Sequence, residues 1–184
     1  MNPAPELLSH WWSRPAGEER HWWAGTWEAA AAAEDTLGTS LVAELRSAAE
    51  ADSDGLLNEY ERLLVGPGRV PCNPYESLWR SGQPRLEQGR LMAAVAGEVA
   101  QVYRELGLQL SGDAHELPDH IAVEWEALAY AADCGADEEA ETLLRGHLAQ
   151  WMPEFCAAVE TETTHPFYRT LAQITAAWTA ALAA

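Results

Sequence analysis

The sequence predicts an all-α chain folded as a single compact multi-helix domain, on three observations. Val, Ile and Thr are sparse while Ala is abundant, no stretch alternates apolar and polar residues at period two, and apolar residues recur instead at spacings of three and four. A length of 184 residues suits one domain that buries roughly 70% of its unfolded-chain surface, and is short for two. Apolar residues make up 48% of the chain against 22% charged, which supplies a core and argues against intrinsic disorder.

Element by element, Glu18 to Ala51 reads as two helices broken near Gly38, the first carrying Trp23, Trp27 and Ala31, the second Leu41, Leu45 and Ala48. Asp54 to Val65 is an amphipathic helix with Leu56, Leu57, Tyr60, Leu63 and Leu64 on one stripe. Gly66 can close it in the left-handed conformation, and Pro67 cannot continue it. A 17-residue connection, Gly68 to Pro84, follows, long for a link inside a helical domain and so a place to look for function. Within it, Asn73-Pro74-Tyr75-Glu76 reads as an N-cap, a Pro at the first helical position and a capping-box acid, with one or two turns to Arg80 and with Tyr75 and Trp79 on one face. The longest helix is expected from Pro84 to Leu106, stopped by Gly107.

Pro118 suits the first turn of the next helix, with Asp119 at its positive N-terminal end and its run reaching Cys134. Ile121, Trp125, Leu128 and Ala132 form its buried stripe, with His120 and Glu124 one turn apart on another side. Three shorter helices are expected over Glu138 to Gln150, Pro153 to Thr161 and Pro166 to Leu182, the last with Phe167, Leu171, Ile174 and Trp178. Asp137 to Glu141 reads as a solvated helix start, and His147, Trp151, Pro153 and Phe155 as a corner between helices.

The charge is one-sided. There are 29 acids against 11 basic residues, all Arg and none Lys, for a formal net charge of -18. That disfavours nucleic acid and anionic lipid as partners and favours a cationic one. The three Cys, at 72, 134 and 156, have no paired spacing, so neither a disulfide framework nor a zinc site is encoded and a reducing compartment is expected. The N-terminal MNPAPELLSHWWSRP lacks a basic start and an uninterrupted apolar stretch, and no run reaches membrane-spanning length, so the reading is a cytoplasmic protein with no stable membrane insertion.

No nucleotide loop, HExxH, GxSxG or paired-Cys motif occurs, so no enzyme is signalled and no cofactor is expected. The one cluster with acid-base or metal-binding potential is Glu116, Asp119, His120 and Glu124. Its plain reading is a helix start at Asp119 and a surface pair of His120 with Glu124; its sharper reading is a recognition site for a cation. Of nine Trp, five (11, 12, 22, 23 and 27) crowd the first 27 positions and read as core. Tyr75 and Trp79 lie in a loop instead, where aromatic residues line grooves. A groove with aromatic walls and an acidic rim suits a peptide that joins Arg to an apolar segment, because carboxylates pair with the guanidinium fork and rings stack on it.

Four segments in order, Tyr60-Glu61-Arg62-Leu63-Leu64-Val65-Gly66-Pro67-Gly68, Pro74-Tyr75-Glu76-Ser77, Glu116 to Glu124 (ELPDHIAVE) and His147 to Phe155 (HLAQWMPEF), resemble the successive signatures of the TorD/DmsD (NarJ-like) family of molybdoenzyme maturation chaperones. Leu64 stands where that family commonly has Phe, and Ala122 where it commonly has Gly. The resemblance implies a TorD-like all-helical cytoplasmic chaperone that binds the twin-arginine leader, the apo catalytic subunit, or both, of a molybdopterin oxidoreductase until its cofactor is inserted. It is expected as a monomer or a helix-exchanged dimer. Residue by residue it maps leader binding onto Gly66 and Pro67, Tyr75 to Trp79, and Asp119 with His120. Within that reading Asp119 accepts the guanidinium with Glu124 supporting, His120 fixes the carboxylate and titrates near neutral pH, and Tyr75, Trp79 and Tyr60 cover the apolar segment. The alternatives are a small metal- or His-dependent hydrolase built on Glu116, Asp119, His120 and Glu124, and an acidic adaptor that occupies a basic protein.

Overall fold

The computed structural model describes residues 2–15, 19–68, 70–80, 88–109 and 116–184, with the side chains of 19–24 and 88–93 outside the description. Among the described residues it is all-helical: α1 (Ala4–Trp12), α2 (Glu19–Leu37), α3 (Val42–Ala51), α4 (Ser53–Tyr60), α5 (Gln88–Glu105), α6 (Ile121–Cys134), α7 (Asp137–Glu141), α8 (Ala149–Glu162) and α9 (Pro166–Leu182). No helix among them is long and apolar enough to cross a membrane.

The periodicity reading does not contain α1. Its Pro5 is tolerated because a first-turn N–H has no acceptor within the helix, and its Leu7, Leu8, Trp11 and Trp12 are buried against α6 and α9. In α2 the buried stripe is Trp27, Ala30 and Ala33 rather than Ala31, and the helix ends at Gly38, whose φ of 76° favours glycine. Trp22 and Trp23 lie outside the described side chains.

Asp52 caps α4, accepting from Gly55 N at 2.8 Å, and the helix runs on as a π-helical turn, Glu61–Val65, to the end the sequence predicts. Gly66 stops it at φ 108°, ψ -173°, an extended conformation at positive φ rather than the left-handed helical one expected. From Asp137 to Glu162 the helical path is continuous: α7, a π-helical turn at Thr142–Leu148, then α8. The expected break before Pro153 is absent, since Pro153 lies inside α8 and removes one donor without ending the helix.

The core draws on α1, α3, α4, α6, α8 and α9, with Trp11, Trp12, Trp125, Trp151, Phe155, Phe167, Tyr168 and Trp178 fully buried. Several indole N–H groups are satisfied across the fold, Trp12 by Thr175 Oγ1 at 2.9 Å and Trp178 by Thr39 Oγ1 at 3.0 Å. Glu59 is a buried staple between α4 and the α8–α9 turn. Its carboxylate accepts from Arg62 Nε at 2.8 Å, from Thr163 Oγ1 at 2.7 Å and from Thr164 N at 2.7 Å. Burial alone would raise its pKa, but these bonds outweigh burial and hold it at about 2.

That value fixes a pH dependence. A carboxyl depressed in the folded state stabilises it above the unfolded value of 4.5, and the contribution is lost as pH falls through about 2. Glu59→Gln is therefore expected to lower stability at pH 7 by about 1–3 kcal/mol, with the gap from the parent narrowing at pH 3. Urea denaturation at the two pH values measures both.

Candidate functional site

The 73–80 loop is clamped onto the N-terminal end of α6. Tyr75 and His120 form an antiparallel bridge, with Glu76 N donating to the Asp119 carbonyl at 3.0 Å and Ile121 N to the Pro74 carbonyl at 2.9 Å. Ser77 N adds a bond to Asp119 Oδ2 at 3.2 Å. The loop's helical part is a single 3-10 turn, Glu76–Leu78, preceded by extended Tyr75, so the expected capping box on Asn73 does not form. Glu76 turns inward instead. It has no exposed surface and its Oε2 lies 2.8 Å from His147 Nδ1, while Arg80 Nε lies 3.3 Å from its other oxygen. Arg80 also donates to Glu98 Oε2 at 2.9 Å and to the Gly146 carbonyl at 2.8 Å, tying the loop to α5 and to the turn before α8.

Tyr75 and Trp79 do not share a face. Tyr75 sets its ring edge-on to His120 at 5.2 Å and donates its hydroxyl to Glu116 Oε2 at 2.5 Å. Trp79 is buried, packs edge-on against Phe155 at 5.6 Å and donates its indole N–H to the Asn73 carbonyl at 2.6 Å. Tyr60 is buried as well. The groove-lining role expected of Trp79 and Tyr60 thus gives way to core packing, because a loop fastened at both ends carries Trp79 inward. Gly66 is half-buried and Pro67 exposed at the end of the π-helical turn.

His120 begins α6 as its N-cap: Nδ1 accepts from Ala122 N at 3.2 Å, so Pro118 and Asp119 precede the helix instead of opening it. The same cap recurs at α9, where His165 Nδ1 accepts from Phe167 N at 3.2 Å. An Nδ1 acceptor leaves the proton of neutral His120 on Nε2, which lies 3.9 Å from Glu116 Oε2. Burial lowers the His120 pKa although Glu116 and Asp119 pull it upward, so its titration falls below the expected neutral range.

The surface pairing of His120 with Glu124 is likewise replaced. Asp119 and Glu124 have no exposed surface and His120 is 3% exposed, so the cluster is internal. Glu124 Oε2 accepts weakly from Trp151 Nε1 at 3.5 Å. Asp119 Oδ1, Glu124 Oε1 and Ser77 Oγ have no hydrogen-bond partner among the described residues. Burial pushes the Glu124 carboxyl well above its usual range, and the nearby acids Glu76 and Asp119 add to this. Among the described residues no group of three His, Cys, Asp or Glu converges to hold a metal ion. The exposed acid of the cluster is Glu116, its side chain 45% exposed.

Sequence reasoning missed Glu76 and His147 as a pair. It also passed over Val65 and Leu117, apolar side chains 53% and 39% exposed beside Gly66 and Glu116. The repeated motif signatures contained all four, but helical spacing along one segment does not reveal contacts between segments.

An acid raised by burial binds its proton more tightly folded than unfolded, so its contribution to stability falls as pH rises above 4.5. Glu124→Gln keeps the shape and removes that dependence. The variant is expected to gain on the parent between pH 5 and pH 8, read from denaturant midpoints at each pH.

Residues 25–157 match the family described as nitrate reductase delta subunit. Among curated relatives, the Tat proofreading chaperone DmsD of Salmonella typhi is 31% identical over 121 residues, covering 66% of this chain and 57% of that one. The chaperone protein TorD of Shewanella pealeana is 31% identical over 147 residues, with 75% and 64% covered. The chlorate reductase assembly chaperone protein of Ideonella dechloratans is 35% identical over 124 residues, with 60% and 61% covered. The matches thus span a little over half to just under two thirds of those relatives' lengths. A solved structure from Archaeoglobus fulgidus, described as a redox enzyme maturation protein, shares the fold at a TM-score of 0.64 with 24% identity, over 96% of this chain and 91% of that one. The motif order, the helical fold and a family match over more than half of the residues agree: the chain belongs to the nitrate reductase delta subunit family, the TorD/DmsD (NarJ-like) molybdoenzyme maturation chaperones.

Proposed function

We propose that this protein is a cytoplasmic, non-enzymatic chaperone that binds the twin-arginine leader, the apo form, or both, of a molybdopterin oxidoreductase subunit and holds it for cofactor insertion before export or assembly. The observation that carries the reading is the surface above the buried acids. There the Glu116 carboxylate and the Tyr75 hydroxyl meet at the solvent edge over the buried His120 ring, with exposed Leu117 next in sequence. A leader offers the matching chemistry, a guanidinium pair followed by an apolar stretch.

In this proposal Glu116 receives the guanidinium. Asp119 acts from beneath as the latch of the 73–80 loop, because its Oδ2 already accepts from Ser77 N and it has no exposed surface. Glu124, buried and held towards its protonated form, lies behind it, and Trp79 and Tyr60 support the loop from the core. The apolar stretch lies on Leu117 and Val65, near the Gly66-Pro67 stop. A protonated His120 would repel the cation, and its lowered pKa keeps the ring neutral at pH 7.

Calorimetric titration with a synthetic twin-arginine leader tests this. Glu116→Gln is expected to weaken binding roughly three- to tenfold, the scale of a partly screened charge-assisted bond, and Leu117→Ser to weaken it separately. Replacing both leader arginines by lysine should also cost affinity, because the fork geometry is lost. Wild-type affinity in a folded Glu116→Gln, Leu117→Ser double variant would remove the site, and absence of binding to any leader would remove that partner.

A further inference from the structure

The two oxygens of the Glu116 carboxylate stand in different surroundings. Tyr75 donates its hydroxyl to Oε2 at 2.5 Å, and His120 Nε2 approaches the same oxygen to 3.9 Å. Oε1 has no partner among the described residues. Glu116 lies outside any helix, and its side chain is 45% exposed, so neither a helical backbone nor packing fixes its direction. A long, exposed side chain of this kind gives up rotamer freedom whenever it binds a ligand.

Tyr75 has the rigidity that Glu116 lacks. Its backbone is extended, φ -120° and ψ 128°, and lies between the bonds from Glu76 N to the Asp119 carbonyl and from Ile121 N to the Pro74 carbonyl. Its ring sits edge-on to the buried His120 at 5.2 Å. The segment that carries Glu116 is fastened two residues further on, where Tyr103 donates its hydroxyl to the Pro118 carbonyl at 2.8 Å. Burial, and then the bond to Glu116, raise the Tyr75 pKa, so the hydroxyl remains a donor throughout the neutral range.

We propose that the Tyr75 hydroxyl is a positioning group that makes Glu116 selective for arginine over lysine. It limits rotation of the carboxylate and leaves Oε1, with the second lone pair of Oε2, open to a guanidinium fork. A two-point contact with a planar fork needs the carboxylate plane held still. An ammonium group makes a contact that a rotating carboxylate can follow. This role belongs to the hydroxyl and not to the ring, so it is separate from covering an apolar segment. It rests on the reading that Glu116 receives the guanidinium of a leader.

A double-mutant cycle read by calorimetry tests it, with a twin-arginine leader and its twin-lysine counterpart as probes. Tyr75→Phe removes the hydroxyl and keeps the ring and the backbone bridge, and a denaturant midpoint establishes that the variant is folded. It is expected to weaken the arginine leader about three- to fivefold, the cost of ordering one freed side chain, and the lysine leader less than twofold. In a Glu116→Ala background the same change should cost nothing further, because no carboxylate remains to be positioned. A loss of equal size for both leaders, or one that persists undiminished beside Glu116→Ala, would assign Tyr75 a merely structural part and overturn the proposal. So would wild-type affinity in folded Tyr75→Phe while Glu116→Ala binds weakly. Wild-type affinity in Glu116→Ala itself would instead remove Glu116 as the receiving group, and this role with it.

Discussion

Glu76 and His147 come from segments 71 residues apart and meet in the interior at 2.8 Å. Freeing either would leave a buried polar group short of a partner, Glu76 keeping only Arg80 at 3.3 Å among the described residues, a cost of about 1–3 kcal/mol. The 73–80 loop is therefore held at a fixed depth, and much nearby follows from that depth. Trp79 is driven against Phe155, Tyr75 is left at the edge beside His120, and Ser77 is brought to Asp119. Over its described residues 73–80 the connection is fastened to the domain by these interior bonds.

The net charge of -18 divides into two populations with different work. Glu59, Glu76, Asp119 and Glu124 are buried and each serves a contact inside the fold. Glu59 is held ionised by donors from three residues, Arg62, Thr163 and Thr164, whereas Glu124, with one weak donor and acids nearby, is held towards its protonated form. Burial of the same functional group thus goes with pKa shifts in opposite directions, and the donors around it decide which. The exposed acids set the field that a cationic partner meets, screened beyond about 10 Å in ordinary salt.

The helical class and most helix centres were legible because burial repeats along each segment: Phe167, Leu171, Ile174 and Trp178 form the stripe that spacing predicts. Helix starts were less so. Histidine is outside the usual N-cap set of Ser, Thr, Asp and Asn, so the start of α6 is displaced from Pro118 to Ile121. A nine-residue helix with proline in its first turn leaves little periodic signal, which hides α1. The cluster Glu116, Asp119, His120 and Glu124 was visible as a group, but not which members face water. That is decided by the loop lying over α6, and single-segment spacing carries no record of it.

The π-helical turn at Thr142–Leu148 can be viewed as an α-helix holding one residue too many. Each residue advances an α-helix by about 100°, so the extra one re-indexes everything on its far side. Leu143, Leu144, His147 and Leu148 all reach the interior across this turn. A one-residue deletion here would preserve composition, hydrophobicity and nearly all of the helix while rotating His147 out of phase with Glu76. The inward reach of this histidine is encoded by a count of residues, and a length change too small to disturb the helix would erase it.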